Sequence, residues 1–464
     1  MGGGKTMKQN QVDFSNGRIL QNMLYSALPM LLAQLLNLLY SIVDRIYIGQ
    51  IPGEGIAALG GIGLCFPIIS LITGFANWFG QGGAPLCSIA RGRKDTHSAC
   101  QIMNNSFYMC VAVGLVLTFI GYVFSDQVLV LFGASGASLS YANDYLRIYI
   151  LGTIFYMVSL GMNPFINSQG FAKIGMISVG IGTVLNLILD PIFIFYFKMD
   201  VQGAALATIL SQMASCLYAL WFLCSRKAEL NLLPLPKVEW KMSRVTDILG
   251  LGFASFVMQA TNSLVQVSCN SMLAKYGSDL YISVMTVINS IRQILDTPVI
   301  ALSEGTSPVI GYNYGAGNYP GVRKAIRYMS YAGMGYTVVV WIFVMLFPSL
   351  LISVFSSGAD FIEIAKPACR VYFGAFIFQT FQYAGQSTFK SLNKKKQAIF
   401  FSLLRKVVIV VPLTYLLPAA GLSVMGVFLA EPISNVVGGL ACFLTMLKTV
   451  YFKLPEERIA NQTN

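Results

Sequence analysis

Two aspartates stand in runs of apolar residues where a charge is expensive: Asp44, in LPMLLAQLLNLLYSIVDRIYIG (28–49), and Asp190, in NLILDPIFIF (186–195). An acid at the centre of a membrane helix costs roughly 2.5 to 3.5 kcal/mol on insertion scales, and acids that persist there usually mark ion or proton pathways. Tyr40 precedes Asp44 by four residues and Asn186 precedes Asp190 by four, so each polar partner shares a helix face with its acid. At about 1.5 Å of rise per residue, Asp190 lies roughly 12 Å from Lys198 at one membrane surface and Asp44 roughly 9 Å from Gln50, a common depth that Thr208 also reaches. Carboxylates grouped in this way point to an ion or proton pathway. The competing readings are an Asp44 that pairs with Arg45 near a helix end and an Asp190 that makes a polar kink with Pro191. For Tyr40, Asn186 and Thr208 the competing reading is hydrogen bonding between helices.

Further along the chain amides take over from carboxylates. Gln259, Asn262, Ser263, Gln266 and Asn270 recur at helical spacing in one segment, and Gln379, Gln382 and Gln386 in another. Between them lie Thr286, Asn289, Gln293 and Asp296, with Glu304 at a segment end. Such stripes line a wet cavity or glue helices together. Gln259, Asn262, Gln266, Asn289, Gln293, Gln379 and Gln382 are the candidate substrate wall. Glu304 stands beside Gly305 as Gln81 stands beside Gly82, so a structural turn competes evenly with a functional role there.

The elements that must carry these residues follow from composition. Of 464 residues, 55% are hydrophobic and 11% charged, and the mean hydropathy is +0.65. That balance excludes an ordinary soluble domain, in which roughly a quarter of residues are charged. A helix needs roughly 20 apolar residues to cross the hydrocarbon core. Twelve such stretches are read at 19–49, 56–81, 100–124, 141–168, 174–197, 202–224, 245–273, 280–303, 320–348, 362–389, 398–418 and 423–447. Most of the 31 Lys and Arg fall in the even-numbered loops and the termini, which by the positive-inside rule puts both termini in the cytoplasm and argues against nucleic acid as the partner of a +12 chain.

The two halves repeat. Sliding one by 223 residues brings Gly82, Pro85 and Gly92 onto Gly305, Pro308 and Gly315. The same shift brings Arg147, Tyr149, Phe155, Ser168 and Lys173 onto Arg370, Tyr372, Phe378, Ser391 and Lys396, and Val201, Gly203, Leu206, Ala207, Ser211 and Leu217 onto Val424, Gly426, Leu429, Ala430, Ser434 and Leu440. Apolar matches are cheap; Arg on Arg and Lys on Lys are not. With six helices per unit both units enter from the same side, a parallel repeat of the kind that frames a transporter cavity. The expected fold is therefore all-α and polytopic: 12 transmembrane helices in two parallel six-helix lobes around a central cavity. The lobes cover 1–225 and 245–464, joined by a basic cytoplasmic linker at 226–244.

Several features carry no chemistry in this reading. Gly4-Lys5-Thr6 lacks the first glycine of a phosphate loop, and His97 lies in a basic loop without a metal-ligand partner. The nine cysteines have no metal-ligand spacing and read as small buried hydrophobes, with no disulfide framework. Residues 1–18 form a polar, basic lead-in without a signal-peptide cleavage site.

The stretches 28–49 and 186–195, with GQGGAPLCSIARGRKD (80–95) and GAALAT (203–208), resemble the multidrug and toxic compound extrusion (MATE) transporters, and the likeness runs along essentially the whole chain. The resemblance implies two lobes alternating between inward-open and outward-open states. It implies export of amphipathic, often cationic drugs or toxic metabolites against an inward flow of H+ or Na+. Asp44 and Asp190, with Tyr40, Asn186 and Thr208, look like that family's cation-coupling cluster. Asn262 and Gln379 fall where one branch of the family carries carboxylates, which favours the first lobe as the ion site. No cofactor is expected, and no metal other than Na+ at Asp44 and Asp190. The expected setting is the plasma membrane bilayer, as a monomer and without enzymatic activity. The alternative is a lipid-linked precursor flippase of similar architecture, which needs several basic residues in its cavity; Arg147 and Arg370 are the main candidates, and their equivalence suggests anchors. An intramembrane enzyme lacks a motif such as H-E-x-x-H.

Overall fold

The computed structural model describes residues 11–51, 55–131, 136–355 and 358–456; Gly4-Lys5-Thr6 and the side chain of Arg45 lie outside the described residues. Every regular element among the described residues is helical. The first half runs through α1 (Ile19–Gly49), α2 (Gly55–Gly92), α3 (Thr96–Val123), the short α4 (Ser125–Leu131), α5 (Gly136–Leu151), α6 (Thr153–Ser168), α7 (Ala172–Pro191) and α8 (Asp200–Cys224). The second runs through α9 (Met242–Tyr276), α10 (Asp279–Gly315), α11 (Tyr319–Leu346), the short α12 (Pro348–Ser353), α13 (Ala359–Phe373), α14 (Gln379–Ser391), α15 (Lys395–Leu403), α16 (Val411–Leu417) and α17 (Ser423–Thr449).

Eight of these stretches are long and apolar enough to cross a membrane, and a ninth is the bent pair α5–α6. The rest of the expected twelve are accounted for. The apolar run Lys395–Lys453 contains two helices, because the chain turns at Gly421 (φ 99°) and Ser423 (φ 48°). α10 carries Arg292, Asp296 and Glu304, and α13–α14 is interrupted, so neither offers a long unbroken apolar run.

Two spans expected to be continuous are broken. The stretch 141–168 bends by 58° at Gly152, and 362–389 is interrupted by a single 3-10 turn at Phe376–Phe378. The breaks fall at matching places in the repeat, and so do their remedies. A broken helix frees carbonyls that must find donors when buried. Thr118 on α3 donates to the Ile150 carbonyl at 3.3 Å, and Trp341 on α11, its repeat mate, donates to the Gly374 carbonyl at 2.9 Å. A further correction concerns α2 and α10, which run on to Gly92 and Gly315, so Glu304 lies inside a continuous helix and not at a turn.

The repeat is written into the backbone as well. The left-handed residues Lys94, Gly170, Lys198 and Asp200 recur as Gly317, Asn393, Gly421 and Ser423 at the same 223-residue shift. At the first of these turns the next residue caps the following helix: Asp95 accepts from the Ser98 amide at 2.9 Å, and Asn318 from the Gly321 amide at 3.3 Å.

The chain forms two compact units, one built on Leu28–Phe256 and the other on Val257–Asn464 with Ser15–Ala27. In each, a glycine from the repeat permits a close backbone approach. A Cβ on Gly82 would sit 2.3 Å from the Ile248 carbonyl oxygen in the first unit, and one on Gly305 would sit 2.4 Å from the Ala27 Cα in the second. The linker is bound to the first unit by side chains that reach its backbone. Gln101 accepts from the Glu239 amide at 2.9 Å, Asn104 from the Leu233 amide at 2.8 Å, and Gln169 from the amides of Glu229 and Leu230 at 3.0 and 2.9 Å. Arg91 pairs with Glu229.

Candidate functional site

In the first unit α1, α7 and α8 bring all five residues of the expected cluster together. α7 carries Asn186 and Asp190 one turn apart, and the helix widens immediately after Pro191 into a π-helical turn, Ile192–Tyr196. Proline removes a backbone donor, and a π turn absorbs the mismatch; such turns are frequent at functional sites. Asn186 Nδ2 donates to Asp190 Oδ1 at 3.2 Å and to Thr208 Oγ1 at 3.4 Å. The Tyr40 hydroxyl hydrogen-bonds Thr208 and lies within electrostatic reach of both acids, and the Asp44 and Asp190 side chains lie against one another. Asp190, Asn186 and Thr208 are buried, while Asp44 and Tyr40 are half-buried. The Asn186 Oδ1 and Asp190 Oδ2 atoms are buried without a hydrogen-bond partner.

Sequence reasoning missed the aromatic wall of this cluster. Tyr145 and Tyr149 on α5 stack with ring centroids 5.7 Å apart and both face Asp44. Gln212 on α8 donates to the Tyr149 hydroxyl at 3.5 Å. Tyr149 was visible in the repeat, matched to Tyr372, but tyrosine is common enough in membrane helices to pass for packing.

The second unit departs further from expectation. In place of an uncharged amide wall it encloses a charged network. Arg292 Nε lies 3.2 Å from Asp296 Oδ2, and Arg292 Nη2 lies 3.1 Å from Glu431 Oε1. Arg405 Nη2 reaches the same Glu431 oxygen at 2.7 Å, and Lys406 Nζ reaches both Glu431 oxygens at 3.2 and 3.3 Å. Arg405 also donates to Asn435 and, at 3.0 Å, to Gln379. Arg405 and Lys406, which lie within the expected span 398–418, sit buried on a π-helical stretch, Leu404–Val410, between α15 and α16. Their counterion is on α17, about 25 positions away in sequence, so neither charge shows its partner in a local pattern.

The amide stripes divide accordingly. Gln379 is buried and donates to both Asp296 oxygens at 3.0 Å, and Gln386 ties α14 to the Ala398 carbonyl and the Ser402 hydroxyl at 2.9 and 2.7 Å. Gln382 is buried with Oε1 unpartnered. Asn289, half-buried, accepts from the Tyr372 hydroxyl at 3.4 Å. Gln259 is half-buried, while Asn262, Gln266 and Gln293 are exposed on their unit. The two arginines expected to be the main intramembrane cations are not buried: Arg147 is about half exposed beside Asp126, and Arg370 is exposed.

This all-helical, two-unit membrane architecture is that of the MATE transporters. Two solved structures illustrate the likeness: a MATE in the bent conformation, and the outward-facing conformation of a multidrug resistance MATE family transporter of the MOP superfamily. Each superposes with a TM-score of 0.88 at 22% identity, over 97% of this chain and 98% of the other. The sequence profile of the MatE family matches residues 29–192 and again 254–416, once in each half, and the chain belongs to that family. Among its relatives are the multidrug export proteins MepA of Staphylococcus aureus (strain MSSA476) and of Staphylococcus haemolyticus (strain JCSC1435). The first is 26% identical over 445 residues, 94% of this chain and 97% of that protein. The second is 31% identical over 310 residues, 66% of this chain and 68% of that protein.

Proposed function

We propose that this protein is a secondary active multidrug exporter of the cell membrane, with both termini cytoplasmic. In this reading it releases amphipathic, often cationic compounds outward by alternating access, in exchange for an inward-moving H+ or Na+ taken up at Asp44 and Asp190. The observation that carries the reading is the contact between two acids within an apolar helix bundle. Adjacent carboxylates repel unless a proton or a cation lies between them, so the pair has a built-in demand for one positive charge. A proton satisfies it alone; Na+ needs more oxygens, and Asn186 and Thr208 lie alongside to supply them. Uptake of that charge changes what α1 and α7 can tolerate at their contact, which is the coupling step. The kinship with MepA supports drugs as the cargo.

Three basic residues inside the second unit, Arg405 and Lys406 buried and Arg292 half-buried, bring back the flippase alternative, but they are already engaged by Asp296 and Glu431 and do not offer an open anion seat. The test is transport of a cationic dye in vesicles carrying the full chain, with H+ or Na+ gradients imposed separately. One gradient drives dye movement in the wild type, and Asp44→Asn and Asp190→Asn each abolish it. Gradient-driven transport that survives both substitutions excludes the coupling role; absence of dye transport under either gradient returns the flippase to first place.

A further inference from the structure

The charged network of the second unit meets the repeat image of the proposed ion cluster at one of its five residues and at several residues of its surroundings, although Asp44 and Asp190 themselves have no acidic counterpart. At the 223-residue shift Thr208 becomes Glu431, Gln212 becomes Asn435 and Tyr149 becomes Tyr372. The Thr73–Tyr156 hydrogen bond at 2.9 Å becomes the Asp296–Gln379 pair at 3.0 Å. Each centre also borders a π-helical turn, Ile192–Tyr196 in one and Leu404–Val410 in the other.

The charges of the second centre do not balance. Among the described residues, three cations, Arg292, Arg405 and Lys406, face two acids, Asp296 and Glu431. Among the described residues, the other titratable groups facing Lys406 or the rest of the network are Tyr372 on α13, Tyr383 on α14, Cys269 on α9, Tyr336 on α11 and Cys442 on α17, none of which supplies a negative charge near neutral pH. A buried excess charge is unfavourable, and the arginines cannot relieve it because guanidinium does not lose its proton in proteins. An ammonium can. Lys406 is 5% exposed, and both oxygens of Glu431 are within its reach.

We propose that Lys406 is a second proton-carrying site, exchanging one proton with water while Arg292 and Arg405 keep theirs. The step breaks a single N–H bond: the ammonium becomes an amine and the centre passes from one net positive charge to none. Its use in transport rests on the exporter reading above; the protonation itself does not.

The experiment is a proton-release titration of the purified full-length protein in detergent, between about pH 5 and pH 9, compared with Lys406→Arg and Lys406→Met. The wild type is expected to release one proton more than either variant. Lys406→Arg keeps the charge and the Glu431 contact, so it serves alone should Lys406→Met not fold. Coincident wild-type and Lys406→Arg curves overturn the proposal, as does a wild type that holds its proton throughout and binds chloride or thiocyanate to balance it. Vesicle transport separates the two readings. An extra proton in the titration without gradient-driven dye movement leaves the lysine site standing and removes the exporter reading. Coincident titration curves with proton-driven dye movement do the reverse. With both intact, Lys406→Arg lowers the number of protons moved per dye by up to one.

Discussion

The polar centres of the two units share a frame and oppose each other in charge. In the first, two acids are flanked by Tyr40, Asn186, Thr208 and a tyrosine wall. In the second, two acids are outnumbered by three cations. The helix breaks, left-handed turns, caps and glycine approaches repeat between the halves. Duplication thus preserved what shapes the backbone and released the side chains that face the interior. The exchange at one position, Thr208 for Glu431, marks the divergence most economically: a hydroxyl that joins an acid cluster in one unit is replaced by the acid that gathers the cations in the other.

That comparison can be broken most directly at this position. Glu431→Gln leaves Arg292, Arg405 and Lys406 around a neutral amide, and removing one partner of a buried ion cluster typically costs about 3 to 5 kcal/mol. Thr208→Val removes two neutral hydrogen bonds, to Asn186 and Tyr40, each worth about 1 kcal/mol. Thermal unfolding of the two variants in detergent should show a larger fall for Glu431→Gln, partly recovered by adding Lys406→Met. Equal falls would mean that the centres are energetically alike. The scaffold, by contrast, should respond symmetrically. Gly82→Ala and Gly305→Ala each push a methyl group against backbone, and each is expected to cost about 1 to 3 kcal/mol. A substitution tolerated in one unit and not the other would show that the close approaches are not equivalent.

The smallest effect concerns the caps. The Ser98 hydroxyl and amide hold the Asp95 carboxyl below the usual carboxylate range. Its contribution is present above the unfolded value near 3.9 and is lost as the pH falls through the lower folded value. Asn318, at the matching place, does not titrate. Amide exchange in the first turn of α3 should therefore accelerate, after correction for intrinsic rates, at about pH 3 relative to about pH 6, with α11 unchanged. Similar acceleration in both helices would assign the effect to general acid loosening.

The first centre was legible in the sequence because its signals are local. Asp44 and Tyr40, and Asp190 and Asn186, are pairs one helical turn apart, and depth counted from the segment ends brings α1, α7 and α8 to one level. The second centre was not, because its pairing runs between distant helices. Arg405 and Lys406 fall inside the expected span 398–418 but close behind Lys394, Lys395 and Lys396, so they read as the edge of a basic loop. The helix breaks were hidden for a related reason: Gly152 and Gly374 are ordinary in an apolar run, and what fixes each break is a donor from a neighbouring helix.

The division of the chain into units bears on how the molecule is made. The first unit ends at Phe256, inside α9, and the second draws on Ser15–Ala27 from the start of α1. Synthesis from the N-terminus therefore leaves the first unit incomplete until the opening of the other half has emerged. The second must recover a segment made at the very beginning. A cut in the linker would therefore part the opening of α9 from the first unit, and Ser15–Ala27 from the second.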